Sequence, residues 1–220
     1  MKHLIVEGFG DKIFFEKYCH HYSYNIDVKV ITPEDVNPDY YTTKGGVISS
    51  SLDDLISQIT LGMIKNLGII IDADHVKDKS GIQKTKESLS KKLEPHGYTL
   101  IETSEGIIAK NNDGLIDIGI WIMPNNINDG NIENWIEELV NHTELPLYEK
   151  AKKVVSELKE ENLQKFRESR VKKAELATWF AWQKSPGHGL DFFFDTPLIN
   201  VNHIQYTNFC TWFKRTFEIH

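Results

Sequence analysis

The sequence predicts an α/β fold in which a parallel β-sheet is flanked by helices, with a mostly helical C-terminal extension. Apolar runs at residues 1–6, 67–71 and 118–123 predict strands, and the run at 67–71 has no polar face, which is typical of a strand buried on both sides under helices. Segments with helical spacing of apolar residues separate these runs, and helical patterns dominate beyond residue 126. With 220 residues, of which 40% are hydrophobic, the chain can bury a substantial core.

The first half of the chain alternates between strand and helix patterns. The opening strand is followed by a helix over residues 12–22 and a short strand over residues 27–31. After a loop that contains Pro33 and Pro38, a serine run caps an amphipathic helix that begins at Leu52, and a strand over residues 67–76 follows. This order favours right-handed crossovers between parallel strands, so the carboxyl ends of the strands are expected along one edge.

The second half of the chain predicts a helix over residues 82–96, strands over 98–102, 107–110 and 117–123, and a helix over 132–140. Pro146 starts a long predicted helix over residues 147–170, and helices over 171–183 and 206–217 follow. We assign residues 1–125 to the α/β domain and residues 126–220 to a helical part packed on the same core. Aromatic residues at helical spacing in this part are expected in the core rather than on a base-stacking surface.

Acidic side chains follow two of the predicted strands. Asp72 and Asp74 come at the end of one apolar run, and Glu7 ends the first strand. Residues i and i+2 of an extended segment share a face, so Asp72 and Asp74 can meet one cation. Ligands bind at the carboxyl edge of open parallel sheets, and clustered carboxylates suit Mg²⁺ or Mn²⁺, which also bind substrate phosphates. We therefore predict a metal site made of Glu7, Asp72 and Asp74.

Two glycine-containing turns accompany these strands. Gly8 permits the turn into the first helix, and Asp11 is interpreted either as the N-cap of that helix or as a part of the site. Lys44, Gly45 and Gly46 precede the next helix, where they can hold a phosphate group or form a simple turn.

Composition limits the class of function. The chain carries 25 Lys and Arg against 32 Asp and Glu, and its net charge of -7 argues against a protein that coats nucleic acid electrostatically, although a local basic groove remains compatible. The strongly basic stretch runs from Lys152 to Lys173. Cys19 and Cys210 lack the spacing of a zinc site or a disulfide framework and are expected as buried thiols. No apolar run reaches the roughly 20 residues of a membrane span, and no signal-peptide pattern is found, so a cytoplasmic protein is expected.

The order of these motifs resembles the Toprim domain of primases, topoisomerases and OLD-type nucleases. Later segments, at residues 121–126, 130–133 and 173–183, are similar to an uncharacterised family of stand-alone Toprim-like proteins. The matching motifs of the first domain are Glu7-Gly8 at a strand end, Asp11 at the next helix start, the Gly45-Gly46 pair, and Asp72-Ala73-Asp74.

The resemblance implies a Mg²⁺- or Mn²⁺-dependent nuclease or phosphodiesterase that acts on nucleic acid, in defence or DNA repair, with or without a protein partner. It implies that Glu7 is the general base, or a base and ligand combined, and that Asp72 and Asp74 are metal ligands. Lys173 or Lys44 would offset negative charge in the transition state.

The resemblance also brings Asn126, Asp129 and Glu133 into the candidate site as supporting or phosphate-binding residues. Two of them have a simpler explanation in local structure. Asp129 is expected as the N-cap of the helix over residues 132–140, and Glu133 lies in its first turn, where the helix dipole favours an acid.

Two other interpretations stay open. The run that ends in Asp72 and Asp74 also fits the motif of haloacid-dehalogenase-type phosphatases, in which Asp72 would be a covalent nucleophile and Asp74 an acid/base. That motif normally opens its domain, whereas here a strand-helix-strand-helix block precedes it. A third interpretation is a non-catalytic Toprim-like module that binds a nucleotide or a protein partner, since a fold does not establish activity.

Overall fold

The computed structural model describes residues 1–30, 52–187, 189–190, 193–194 and 197–220, and these residues contain a six-stranded sheet covered by helices. The strands are β1 (Lys2–Val6), β2 (Asp27–Val30), β3 (Asn66–Asp72), β4 (Tyr98–Thr103), β5 (Gly106–Asn111) and β6 (Ile118–Met123). The helices are α1 (Phe9–His21), α2 (Leu52–Thr60), α3 (Ile82–Leu93), α4 (Ile132–Leu139), α5 (Leu145–Glu160), α6 (Val171–Ala181) and α7 (Ile204–Thr216). Short 3₁₀ helices cover Val76–Asp78, Glu94–His96 and Glu168–Arg170.

The strand order of the sheet is β2-β1-β3-β6-β5-β4. Strands β2, β1, β3 and β6 are parallel, whereas β5 and β4 continue the sheet in antiparallel pairing. This arrangement confirms the predicted α/β fold with a mainly parallel sheet and a helical C-terminal region. Because β1, β3 and β6 are parallel neighbours, the loops that leave their carboxyl ends share one edge of the sheet.

The two faces of the sheet carry separate hydrophobic clusters, because alternate residues of a strand point to opposite faces. On one face, Ile69 and Ile71 of β3 belong to a cluster with residues of α2 and α3. On the other face, Ile70 belongs to a cluster with residues of α1, α4, α5, α6 and α7. The helices that follow residue 126 therefore pack against the same sheet as α1.

The C-terminal helix packs closely on the sheet because two paired glycines leave room for it. Gly68 of β3 lies opposite Gly119 of β6 in the parallel register. A Cβ atom on Gly68 would lie 2.8 Å from the Phe217 ring, and one on Gly119 would lie 2.0 Å from the Thr216 hydroxyl oxygen. Any larger residue at these positions would displace the end of α7.

The aromatic residues of the C-terminal helices lie mainly in the core, as predicted. Trp179 is fully buried and Phe180 is 4% exposed, whereas Trp182, beyond the end of α6, is 40% exposed. Both cysteines are free thiols, with Cys19 buried and Cys210 half-buried. Burial raises the pKa of Cys19 to about 12, which makes its thiol unreactive at neutral pH. Among the described helices, none has the length and apolar character needed to cross a membrane.

The long helix predicted over residues 147–170 is wrong in its second half, because α5 ends at Glu160. Asn162 adopts a left-handed conformation with φ of 58°. The N–H groups of Asn162 and Leu163 donate to the carbonyl groups of Lys159 and Leu158, which is a Schellman C-cap. A separate segment then leads to α6 and carries part of the basic stretch.

Candidate functional site

Carboxylates from the end of β3, the start of α1 and the residue after β1 meet at the carboxyl edge of the sheet. Glu7, Asp11 and Asp72 line one small recess there, together with apolar residues of the core. The Asp72 N–H donates to Glu7 Oε2 at 3.1 Å, across a sequence separation of 65 residues. Asp72 Oδ1 in turn accepts from the Ile132 N–H at 3.2 Å. Glu7 and Asp72 are thus neighbours, and Asp72 also contacts the first residue of α4.

Asp11 closes the start of α1 without being its N-cap. Gly8 holds the N-cap position, and Asp11, three residues later, accepts the Gly8 N–H through Oδ2 at 2.9 Å. The prediction that Asp11 is itself the N-cap is therefore wrong, because the carboxylate works from the third helical position of a capping box. Gly8 and Asp11 together fix the turn that follows Glu7.

The acidic residues at this edge strongly affect one another. Burial raises the pKa of Asp72 well above its usual range, and the negative charges of Glu7, Asp11, Glu133 and Asp74 raise it further. Taking a charge out of water is costly, and like charges nearby add to that cost. The surroundings of these acids therefore do not fully stabilise their negative charges when all of them are ionised.

Glu7, Asp11, Asp72 and Asp74 form what we call the acid cluster, and Asp74 lies in it with a backbone geometry that differs from the predicted one. Strand β3 ends at Asp72, and Asp74 has a φ of 58°, so the segment is not extended through residue 76. The prediction of an extended segment through Asp74 is wrong, so strand alternation does not determine how Asp72 and Asp74 are arranged. Asp74 instead forms a two-way backbone bridge with Gly130, with N–H to O distances of 2.7 and 2.8 Å. This bridge ties the loop after β3 to the loop after β6.

Asp129 caps a different helix from the one predicted. Its Oδ1 accepts from the Ile82 N–H at the start of α3 at 2.8 Å, and its Oδ2 accepts from the Val76 N–H at 3.4 Å. The N-cap of α4 is Asn131, whose side chain accepts from the Asn134 N–H at 3.2 Å. The prediction that Asp129 caps the helix over residues 132–140 is therefore wrong, and Asp129 connects the β6–α4 loop to α3.

Asn126 has a structural role in the turn after β6. The residue is buried and has a φ of 63°. Its Oδ1 accepts from the Ile122 N–H at 2.7 Å, and its own N–H donates to the Ile122 carbonyl at 2.8 Å. Asn126 therefore shapes the loop that presents Gly130 and α4 to the acid cluster.

Glu133 and Lys173 lie beside the acid cluster. Glu133 is in the first turn of α4, as predicted, and is 8% exposed. The Lys173 ammonium group lies 3.8 Å from Glu133 Oε1, and its side chain is 61% exposed. Burial raises the pKa of Asp11 to about 6, with the Gly8 N–H lowering it, Glu133 raising it and Lys173 lowering it. Both residues therefore act electrostatically on the recess.

The predicted metal ligands supply suitable donor atoms, but they are not assembled into a ligand set. Carboxylate oxygens are what Mg²⁺ and Mn²⁺ prefer. In the described parts of the chain, no group of three or more His, Cys, Asp or Glu is arranged so that it could hold a metal ion. The recess between Glu7, Asp11 and Asp72 is too tight for a water molecule. Lys44, Gly45 and Gly46 lie outside the described residues.

A cavity of about 230 Å³ adjoins the site and has no counterpart in the sequence analysis. It opens between α4, α6 and residues 189–190, with mostly apolar walls. The helical pattern of residues 171–183 gave no sequence signal for it, because side-chain type alone does not show which positions leave space unfilled. The lining residues are Glu133, Lys173, Leu176, Ala177, Phe180, Gly189 and Leu190.

Comparison with known proteins identifies a family whose description names no activity. Residues 1–218 match a family described as "Protein of unknown function (DUF3226)". The match covers the sheet, the acid cluster and the C-terminal helices. No curated protein and no solved structure matches the chain.

Proposed function

The chain belongs to the DUF3226 family, and we propose that it is a divalent-cation-dependent nuclease that hydrolyses phosphodiester bonds of nucleic acid. The observation that carries the proposal is the convergence of Glu7, Asp11 and Asp72 in one recess, where burial and like charges raise the pKa of Asp72. A bound cation relieves such repulsion. The resemblance to Toprim domains supports the same activity, with Mg²⁺ or Mn²⁺ as the cation.

Glu7, Asp72 and Asp74 are the proposed cation ligands. A cation held there would polarise a phosphoryl oxygen and neutralise developing charge. Glu7 and Asp72 each use one carboxylate oxygen to accept a backbone N–H in the structure. Each carboxylate keeps a second oxygen, but the described acids form no ready ligand set, so these side chains must turn to bind one cation.

The proposed roles of the remaining residues follow from their positions. Glu7 lies at the end of β1 beside Asp72 and accepts the proton of the attacking water as general base. Lys173 has an exposed ammonium group beside Glu133 and offsets the negative charge of the phosphoryl oxygens. Asp129 and Asn126 hold the neighbouring loops in place through their backbone contacts.

The Glu7→Gln variant tests this proposal, because it removes the base and keeps the size of the side chain. We expect hydrolysis of fluorescent oligonucleotides with Mg²⁺ or Mn²⁺ to fall by about a hundredfold or more. Glu16→Gln is the matched control, since Glu16 is an exposed residue of α1 that pairs with Lys12. Equal loss in both variants, or none in Glu7→Gln, contradicts the proposal. Phosphate release from monoesters with beryllofluoride trapping on Asp72 would indicate a phosphatase instead.

A second candidate function is a non-catalytic module that binds a nucleotide or a protein partner. The specific observation in its favour is that the described acids form no ready ligand set and enclose no room for water. For such a module, Mn²⁺ would stabilise the protein without any turnover of nucleic acid.

A further inference from the structure

We infer that the cavity beside the acid cluster binds one unpaired nucleobase, and that the substrate class is single-stranded nucleic acid. The substrate assignment rests on the proposed nuclease function, whereas base binding by the cavity is a separate property. The cavity lies between the first turn of α4, the helix α6 and residues 189–190.

The walls of the cavity suit a flat aromatic ring. Leu176, Ala177, Phe180 and Leu190 supply apolar contacts. The ring of Phe180 is held in place by stacking on Trp179, with 5.1 Å between ring centroids. A cavity of about 150 Å³ is enough to bind benzene, so about 230 Å³ accommodates a single base. Such contacts accept any base, because every base has a π-face.

Two charged residues give the cavity the polarity of a nucleotide site. Glu133 lines it with a nearly buried carboxylate, which can accept a hydrogen bond from an amino group on the base. Lys173 also lines it, and its largely exposed ammonium group can pair with a phosphate. Apolar walls with a few placed polar groups are typical of small-ligand sites.

The cavity and the recess lie on either side of the first turn of α4. Ile132 lines the recess and the next residue, Glu133, lines the cavity, and the charge of Glu133 raises the pKa values of both Asp11 and Asp72. A base held in the cavity therefore brings its own phosphate group close to the acids. A base within a duplex is paired and stacked, so only a single strand delivers it without flipping.

Positive charge is concentrated in the segment that leads into α6, the helix that lines the cavity with Lys173. Lys165, Arg167 and Arg170 are exposed and immediately precede α6. Glu168 in the same segment pairs with Lys159, with 3.1 Å between its Oε1 and the ammonium nitrogen, so one of the nearby cations is already matched. An apolar protein side chain could fill the walls but would offer no anion to Lys173 or to the basic segment before α6. A nucleic acid strand satisfies both features.

The Ala177→Phe variant tests the inference by filling the cavity from an exposed position of α6. The matched control is Ser156→Phe, which adds the same ring at an exposed position of α5 outside the set of cavity-lining residues. The probes are fluorescein-labelled 12-residue oligonucleotides, single-stranded and duplex. Their binding is measured by fluorescence anisotropy in EDTA, so that neither a metal ion nor hydrolysis is required.

We expect the wild-type protein to bind the single strand about tenfold more tightly than the duplex. Ala177→Phe should weaken single-strand binding by about tenfold, whereas Ser156→Phe should leave it unchanged. If circular dichroism shows that Ala177→Phe is unfolded, the smaller Ala177→Leu substitution serves in its place. Equal affinity for duplex, normal binding by the cavity variant, or no binding by the wild type overturns the inference.

The binding and hydrolysis measurements distinguish an incorrect base site from an incorrect nuclease function. Hydrolysis that depends on Glu7 together with normal binding by Ala177→Phe overturns the base site alone. If Ala177→Phe weakens single-strand binding but Glu7→Gln leaves hydrolysis unchanged, the base site is supported and the proposed nuclease activity is contradicted.

Discussion

A buried carboxylate with like-charged neighbours destabilises a fold at neutral pH, and Asp72 is the clearest case in this chain. Its pKa is raised by burial and then by four other acids, so ionisation of the folded state costs more than ionisation of the unfolded state. The same side chain is held by the Ile132 N–H, which keeps it at the sheet edge. Asp72 thus combines a stability cost with a fixed position, as expected of a functional residue.

The Asp72→Asn substitution is therefore expected to stabilise the protein in the absence of metal. Asparagine keeps an oxygen atom that can accept the Ile132 N–H and removes the charge. Thermal unfolding in EDTA at pH 7.5 should show a higher Tm, where a rise of roughly 2–4 °C corresponds to about 1 kcal/mol for a chain of this size. Asp113→Asn, at an exposed position after β5, is the control. A lower Tm for Asp72→Asn would contradict the charge-repulsion account.

Asp11 predicts a pH dependence with a defined sign. Its pKa in the folded state is about 6, above the ordinary value of 3.8, because of burial. As pH rises, the unfolded chain therefore loses this proton at a lower pH than the folded chain does. The contribution of Asp11 to stability accordingly falls between about pH 4 and about pH 6. Thermal unfolding of the wild type and Asp11→Asn across this window should show the wild type losing stability relative to the variant. Parallel Tm profiles would contradict the raised pKa.

At the scale of elements, the loops at the sheet edge are joined by contacts between residues distant in sequence. Asp74 bridges to Gly130, and Asp129 reaches the start of α3. The sequence could predict that these loops share an edge, since buried strands and crossovers are local patterns. It could not predict the partners, because periodicity carries no information on which distant N–H a carboxylate accepts.

The capping contact of Asp129 can be measured directly. Asp129→Ala leaves the Ile82 N–H at the start of α3 without its acceptor, and we expect a loss of about 1 kcal/mol in the free energy of unfolding. Urea unfolding of Asp129→Ala and of Asn131→Ala, which removes the cap of α4, gives the comparison. If the Asp129 variant unfolds like the wild type, the side chain does not cap α3.

At the scale of the whole molecule, most of the fold was predictable from the sequence because buried parallel strands are nearly all apolar. Residues 118–123, for example, form β6 with every residue buried. The end of α5 at Glu160 was missed because a left-handed asparagine gives a weak signal inside a helical pattern. The positive φ at Asp74 was missed for a similar reason, so the sequence predicted the acid cluster but not its geometry.

The helical C-terminal part contributes to the candidate site as well as to the core. Residues Glu133 and Lys173 come from α4 and α6, and Asp72 accepts the first N–H of α4. The sheet supplies Glu7 and Asp72 from its carboxyl edge. The family match over residues 1–218 covers both parts.

The central claim, that the acids at the sheet edge bind a divalent cation, is tested most directly by thermal unfolding with and without Mn²⁺. At a concentration of about 100 times Kd, a cation that binds only the folded state stabilises it by roughly 2.7 kcal/mol. We predict that Mn²⁺ raises the Tm of the wild type and leaves that of Asp72→Asn unchanged. An equal rise in both proteins would contradict the assignment of Asp72 as a ligand.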